Sequence, residues 1–144
     1  MEYRVGFEIK KLSNLIKKQI DRLSAESGLT GFQGYLMGYL IREGGRRDLF
    51  QRDVEKHLEI SRASVTSILQ LLEKNGFVRR ESVETDARLK KIAVTEKGYQ
   101  ANDRILNSLD QMESNLKEGI STEEMEIFIS VMERIKKNLE KLDY

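Results

Sequence analysis

Apolar residues recur at spacings of three and four along most of this chain, and one stretch breaks the rhythm. From about Tyr3 to Ser27, Val5, Ile9, Leu12, Ile16, Ile20 and Leu23 form the stripe of one long amphipathic helix, with lysines and Arg22 between them. Thr30 caps a second helix from Gly31 to about Arg42, which Gly44-Gly45 ends. A third helix is predicted from Gln51 to Leu58, with Val54 and Leu58 inward. The fourth runs over 61–75, because Ser61 is a good N-cap, Gly76 suits the position just past a helix end, and Val65, Ile68, Leu69 and Leu72 fall on one stripe.

Over 77–94 the period shortens. Phe77 to Ser82 and Lys90 to Val94 are β-favouring runs around a polar, turn-prone centre, Val83 to Leu89, which predicts a hairpin. Asp48-Leu49-Phe50 predicts a further short strand. Helical spacing then resumes from Thr95 to about Glu118 through Tyr99, Ile105, Leu109, Met112 and Leu116. Ser121-Thr122-Glu123-Glu124 is a capping box for a last helix striped by Met125, Phe128, Met132, Ile135, Leu139 and Leu142.

The third and fourth helices have a particular relation. Val54, Leu58, Ile60, Val65 and Ile68 occupy positions 4, 8, 10, 15 and 18 of a window starting at Gln51, the buried positions of a helix-turn-helix. Glu55 departs from that pattern, since its position is usually small, and its carboxylate is expected to lean out to solvent. A hairpin directly after a helix-turn-helix is a wing. The terminal helices carry more apolar stripe than one small winged domain can cover, which points to a homodimer.

The outward face of the fourth helix changes the picture further. Ala63, Thr66, Ser67, Gln70 and Lys74 cluster about 150° away from Val65, flanked by Arg62 and Ser64. Short hydroxyl and amide groups allow close approach to base edges, where Gln pairs with adenine and Ser or Thr with several bases. A polar surface helix without a partner fits the same residues. In the second helix, Gly31, Gly34 and Gly38 share one side. Close helix packing explains them, and so does room for a small ligand beside Tyr35 and Tyr39.

Composition mostly excludes. The 144 residues hold no cysteine, no proline and a single histidine, His57. Disulfides, thiolate metal sites and thiol redox sensing are ruled out, and neither a catalytic residue set nor a metal or cofactor site is expected. His57 lies in a charged helix, where a surface role is expected. No apolar run approaches the roughly 18 residues of a membrane span, and no leader is evident, so a cytoplasmic protein is expected. Net charge is only +1. Its distribution is uneven: Arg46 to Gly98 carries twelve Lys/Arg against nine Asp/Glu, a balance of +3, and the remainder thirteen against fifteen, −2. The middle of the chain is the part suited to an anion.

The order of elements and several strings resemble the MarR family of bacterial transcriptional regulators. The strings are Gln51-Arg52-Asp53-Val54 to Leu58, Ile60 to Thr66, Leu72-Glu73-Lys74-Asn75-Gly76-Phe77-Val78-Arg79-Arg80, Asp86-Ala87-Arg88 and Val94-Thr95-Glu96-Lys97-Gly98. The resemblance implies a mainly α fold with a small β-hairpin wing, namely a winged helix-turn-helix plus a helical dimerisation region from both termini. It divides the chain into an N-terminal dimerisation helix (1–30), a winged helix-turn-helix DNA-binding domain (31–98) and C-terminal dimerisation helices (99–144).

The implied function is that of a homodimeric, sequence-specific regulator of the MarR type, a repressor and not an enzyme, on double-stranded DNA with a pseudo-palindromic site. The recognition helix 61–75 would enter the major groove and the wing 77–94 the minor groove. By position, Arg62, Ala63, Ser64, Thr66, Ser67 and Gln70 form the groove-facing set. Arg88 falls on the minor-groove arginine of the wing, with Asp86 holding it or the turn, and Arg80 contacts phosphate or braces the wing. Lys74, Arg79, Lys90 and Lys91 are available to phosphates. Many relatives release DNA on binding a small aromatic or anionic effector, and Tyr35, Tyr39 and Tyr99 are the candidate pocket wall here. A winged module that binds protein is the competing reading, and it would be favoured by an acidic or apolar face over 62–70, which this chain lacks.

Overall fold

The computed structural model describes residues 3–142. Its elements run α1 (Val5–Ala25), α2 (Gly31–Gly44), α3 (Gln51–Leu58), α4 (Arg62–Lys74), β1 (Val78–Val83), β2 (Asp86–Val94), α5 (Glu96–Leu116) and α6 (Thr122–Glu140). This is the mainly helical chain with a hairpin wing that the sequence predicts. It forms two compact units, Met1–Leu109 and Asp110–Tyr144.

Helix starts follow local chemistry. Thr30 Oγ1 accepts from the Gln33 N–H at 3.1 Å while Gln33 Oε1 accepts from the Thr30 N–H at 3.0 Å, a complete capping box. Ser121 and Glu124 repeat that arrangement at α6. Ser61 Oγ accepts from the Ser64 N–H at 3.2 Å to open α4. The N-cap of α3 is Phe50, which has no capping side chain, so Asp53 works from inside the helix, its Oδ2 accepting from the Phe50 N–H at 2.8 Å. Thr95 donates to the Gly76 and Phe77 carbonyls at 2.6 and 3.1 Å and accepts from the Gly98 N–H at 3.1 Å, joining the end of α4 to the start of α5.

The core lies in the first unit. Leu36, Met37 and Leu40 of α2, Val54 of α3, Val65, Leu69 and Leu72 of α4, Phe77, Val78, Ile92, and Ala101 and Ile105 of α5 bury one another in a single cluster. That packing runs continuously across positions 30/31 and 98/99. The glycine side of α2 is filled by its neighbours: a Cβ on Gly34 would lie 3.2 Å from Ser24 Oγ of α1 and 3.4 Å from Ile105 Cδ1 of α5. Close helix packing therefore explains Gly34, whereas Gly31 borders a cavity beside Ile20, Asp21 and Phe32.

Two local expectations fail. Residues 48–50 form no strand; the Ile92 N–H donates to the Leu49 carbonyl at 2.7 Å and Lys91 Nζ lies 3.9 Å from Asp48 Oδ1, without a strand's ladder. The hairpin centre is also shorter than the predicted span Val83 to Leu89. Val83 pairs with Asp86 across a tight turn at Glu84-Thr85, while Ser82 pairs with Lys90, so 87–89 bulge out of β2. The polar residues there mark a bulge, not a long loop.

Apolar stripes remain open at both ends of the described chain. Val5, Ile9 and Leu12 of α1 are exposed, and α6 has no buried residue, with Phe128, Met132 and Leu139 among its exposed apolar side chains.

The turn between α3 and α4 contains the one non-glycine residue with positive φ among those described, Glu59 at φ 53° and ψ 41°. A left-handed conformation costs an ordinary residue roughly 1 kcal/mol. Glu59→Gly is therefore expected to stabilise the chain by about 0.5 kcal/mol after the glycine's extra unfolded-state entropy. Urea unfolding checks it; a loss of stability would show that the side chain does something the turn geometry does not reveal.

Candidate nucleic-acid interface

α4 buries Val65, Leu69 and Leu72 and leaves the opposite side open. Arg62, Ala63, Ser64, Ser67, Gln70 and Lys74 are all exposed. Thr66 is half-buried instead, because its Oγ1 accepts from Gln51 Nε2 of α3 at 2.7 Å. Ser61 Oγ donates to Ser64 Oγ at 2.9 Å, tying the Ser64 hydroxyl to the cap. Lys74 stands twelve residues beyond Arg62, about 18 Å along the axis, at the far end of this face.

The hairpin sorts its cations by pleat. Arg80 pairs with Ile92 and Ser82 with Lys90, so these residues share the side on which Ile92 is buried. Arg79, Glu81 and Lys91 point to the other side. There Arg79 Nε donates to Glu81 Oε1 at 2.7 Å and Lys91 Nζ lies 3.5 Å from Glu81 Oε2. Glu81 is held below the usual carboxylate range, chiefly by that Arg79 hydrogen bond. Arg79 and Lys91, expected to be available to phosphates, each face Glu81 on the side of the hairpin opposite Arg80 and Lys90. A strand's alternation allows adjacent basic residues no common side.

At the hairpin tip, the Arg88 N–H donates to Asp86 Oδ1 at 2.9 Å and Arg88 Nε approaches the same oxygen at 3.4 Å. One carboxylate oxygen fixes both the bulge and the root of the guanidinium. The rest of Arg88 stands free, its side chain 93% exposed.

These pieces enclose a cleft of about 400 Å³ between α3, the start of α4 and the wing. Arg52, Arg62, Arg80, Arg88 and Lys90 line it against a single carboxylate, Glu55. Five like charges around one hollow form a site for an anion, and the open face of α4 continues from it. Gln51 forms part of its wall: Arg80 Nη2 donates to Gln51 Oε1 at 3.3 Å, and Gln51 Nε2 reaches Thr66 Oγ1. Sequence pattern gave Gln51 and Arg52 no role, since a polar residue opening a short helix carries no periodic signal. Glu55, expected to lean out to solvent, is half-buried in the cleft wall.

The three tyrosines do not converge. Tyr39 is buried beneath His57, their rings stacked at 3.8 Å, and Tyr35 Oη lies 3.0 Å from His57 Nε2. A cleft of about 350 Å³ opens beside Tyr39 and His57, lined also by Arg42, Glu43, Arg47, Asp53 and Lys56 but not by Tyr35. Tyr99 is exposed on α5 and takes no part in its wall. Burial raises the Tyr39 hydroxyl above its ordinary range. Burial also penalises the Asp53 carboxylate, but the Phe50 N–H and Arg47, whose Nη1 lies 3.1 Å from Asp53 Oδ1, outweigh that and hold it below its ordinary value.

A helix-turn-helix joined to a basic-lined hairpin defines a winged helix-turn-helix protein of the nucleic-acid-binding kind. Residues 27–89 match the sequence model of the MarR family. It is 23% identical over 118 residues to the uncharacterized HTH-type transcriptional regulator YwhA of Bacillus subtilis, covering 82% of this chain and 83% of that one. It is 24% identical over 131 residues to the HTH-type transcriptional regulator PecS of Dickeya dadantii, covering 91% and 79%. Among solved structures, a mutant of S. aureus MepR bound to an oligodeoxyribonucleotide superposes with a TM-score of 0.74 at 25% identity, over 96% of this chain and 99% of that one. The heme sensor protein PefR of Streptococcus agalactiae in complex with heme gives 0.73 at 29% identity over 100% of both.

The lowered Asp53 value sets an acid limit. A folded-state value below the ordinary 3.8 means that the group's stabilisation is fully present above pH 3.8 and is lost as pH falls through the folded value. Asp53→Asn keeps an acceptor for Phe50 but removes the charge facing Arg47. It is expected to cost about 0.5 kcal/mol at pH 6, with the gap to wild type closing below pH 4. Urea midpoints across pH 2.5–7 check this, and a pH-independent gap would contradict it.

Proposed function

We propose that this chain is a homodimeric, sequence-specific double-stranded DNA-binding transcriptional repressor, cytoplasmic and without enzymatic activity, that a small aromatic or anionic effector releases from DNA. The observation that carries the reading is the five-cation cleft continuous with the open polar face of α4. DNA-bound MepR supports it, and the named relatives are transcriptional regulators. No helix among the described residues is long and apolar enough to cross a membrane.

In this function, residues 31–98 bind DNA, and the terminal spans 1–30 and 99–144 pair with a second copy. The exposed stripes of α1 and α6 motivate that pairing, since apolar rows of such length are rarely left in water. Twofold symmetry sets two α4 helices roughly 34–36 Å apart, one turn of B-DNA, and so calls for a pseudo-palindrome. Arg62, Ala63, Ser64, Ser67 and Gln70 take the major groove. Arg88, held at its root by Asp86, takes the minor groove, where a narrow width concentrates negative potential. Arg80 and Lys90 meet phosphates at the cleft, while Lys74 marks the outer edge. PefR, a heme sensor, is the precedent for an effector. The site proposed here is the Tyr35–Tyr39 side of α2, beside His57.

Selection of duplexes from a random pool, followed by binding titrations over salt, tests the function. A dimer should give a symmetric motif and an association constant that falls by about 0.9 logarithmic units per released phosphate contact per tenfold rise in salt. A salt-insensitive complex would overturn the reading.

The pleat sharpens the test. Arg88→Ala is expected to weaken binding at least tenfold with an unchanged thermal melt, whereas Lys91→Ala, whose charge already faces Glu81, should change affinity less than twofold. Equal effects of the two substitutions would remove the wing's two-sidedness from the mechanism.

A further inference from the structure

Residues 5–15 of α1 are all exposed; the helix meets α2 toward its far end, where Ile20, Asp21 and Ser24 lie against Gly31 and Gly34. Ser24 Oγ is buried there and makes no hydrogen bond. The polar attachment is Asp21, whose Oδ1 accepts from the Gly31 N–H at 3.2 Å while Lys17 Nζ donates to its Oδ2 at 3.0 Å. Among the described residues no other α1 side chain hydrogen-bonds to another element. Gly31 opens α2, and its N–H is an orphan donor of the helix start that the Thr30–Gln33 capping box leaves unused. A carboxylate at that point also meets the positive end of the α2 dipole. The hydrogen bond from Lys17 is the chief reason that Asp21 is held below the ordinary carboxylate value. Only glycine leaves room for the arrangement, since a Cβ on Gly31 would run into Asp21 Oδ1 and lie 3.3 Å from Ile20 Cγ2.

We propose, resting on the homodimeric DNA-binding reading above, that Asp21 is a positioning residue: its bond to Gly31 fixes the angle between α1 and α2, and through it the half-site spacing that the dimer accepts. In that reading the exposed length of α1 pairs with the second copy, while α2 shares one packed core with α4. The angle at the α1–α2 joint then sets where each α4 stands. From Asp21 to Val5 the helix extends about 24 Å, so a tilt of about 10° at the joint shifts its far end by about 4 Å, more than the ~3.4 Å rise of one base pair. Packing of Ile20 and Ser24 on the glycines sets how closely the helices approach, but such contact is non-directional and resists rotation little. The hydrogen bond to the carboxylate is directional and resists it.

Asp21→Ala and Gly31→Ala break the bond from opposite sides. Alanine is the better helix former, and the cavity of about 750 Å³ that both residues line takes the displaced carboxylate, so Gly31→Ala should keep the wild-type thermal melt. The chain has no cysteine, so a single Glu73→Cys at the exposed end of α4 carries one spin label per subunit. Label-to-label distances in the free dimer, read by pulsed electron–electron double resonance, should form one narrow peak on the otherwise wild-type chain and a distribution about twice as wide in either variant. Duplexes carrying the selected half-sites with one base pair added or removed between them give the functional readout. The wild-type dimer should bind them about tenfold more weakly than its own spacing, and the variants less than about threefold more weakly. Loss of helix stability alone does not relax spacing. Equal distance widths, or an equal spacing profile, in wild type and variants overturn the proposal. Asp21→Ala carries the test alone if Gly31→Ala does not fold. A wild-type chain that gives no label-to-label distance, or selects no DNA, overturns the homodimeric DNA-binding reading itself, and the clasp's role with it; the other failures leave that reading standing.

Discussion

Everything this chain presents to a polyanion is aimed by one buried contact set. Val54 of α3, Val65, Leu69 and Leu72 of α4, and Ile92 of β2 belong to the same apolar cluster, and each is fully or nearly fully removed from water. Each such side chain contributes about 1.5–3 kcal/mol on burial, far more than any single exposed ion pair at the surface. The crossing of α3 and α4 and the seat of the hairpin follow from that packing. The cations come afterwards: Arg80 and Lys90 face the cleft because they share a side with Ile92, and Arg62 opens the exposed face because Val65 is inward.

That dependence explains what could be foreseen. The spacing of Val54, Leu58, Ile60, Val65 and Ile68 already specified two helices through a tight turn, and Ser61, Thr30 and Ser121 sit where the caps form. Helix position is periodic and local, so the sequence carries it. Which way a strand's basic residues face is also periodic, but only once the register is known. Lys90 and Lys91 look alike in sequence; the pairing of Lys90 with Ser82 and of Lys91 with Glu81 separates them. The bulge at 87–89 and the missing strand at 48–50 were illegible for a related reason, since both are decided by a partner strand's hydrogen bonds. Gln51 is the extreme case: its contacts reach fifteen and twenty-nine residues along the chain, and no local pattern encodes them.

The tyrosines show how proximity in sequence logic can mislead. Tyr35 and Tyr39 lie one turn apart on α2, and that turn brings both to His57 of α3, where stacking at 3.8 Å makes the rings part of the joint between two helices. Tyr39 is buried there, so whatever enters the adjacent cleft meets chiefly the charged groups around it. Arg47 bridges Asp53 and Glu43 at the same joint, at 3.1 and 3.7 Å. A ligand that disturbed those pairs would act on α3, the helix whose first residue holds both Thr66 and Arg80. Effector response and DNA contact, in the proposed function, thus share one short helix of eight residues.

Glu55 then has a physical place in the scheme. It is half-buried in the wall of the cationic cleft, yet no ion pair to it closes within 4.0 Å among the described residues. A carboxylate so placed moderates the mutual repulsion of five cations in the free protein, and it does not lock any of them. It also weakens attraction to phosphate, a term that is uniform over all DNA sequences. The total affinity of such a site divides between that uniform term and the contacts of α4 with base edges. Lowering the first and leaving the second untouched raises the ratio of specific to non-specific binding, and that ratio, against the many competing sites of a genome, is the quantity a DNA-binding regulator needs.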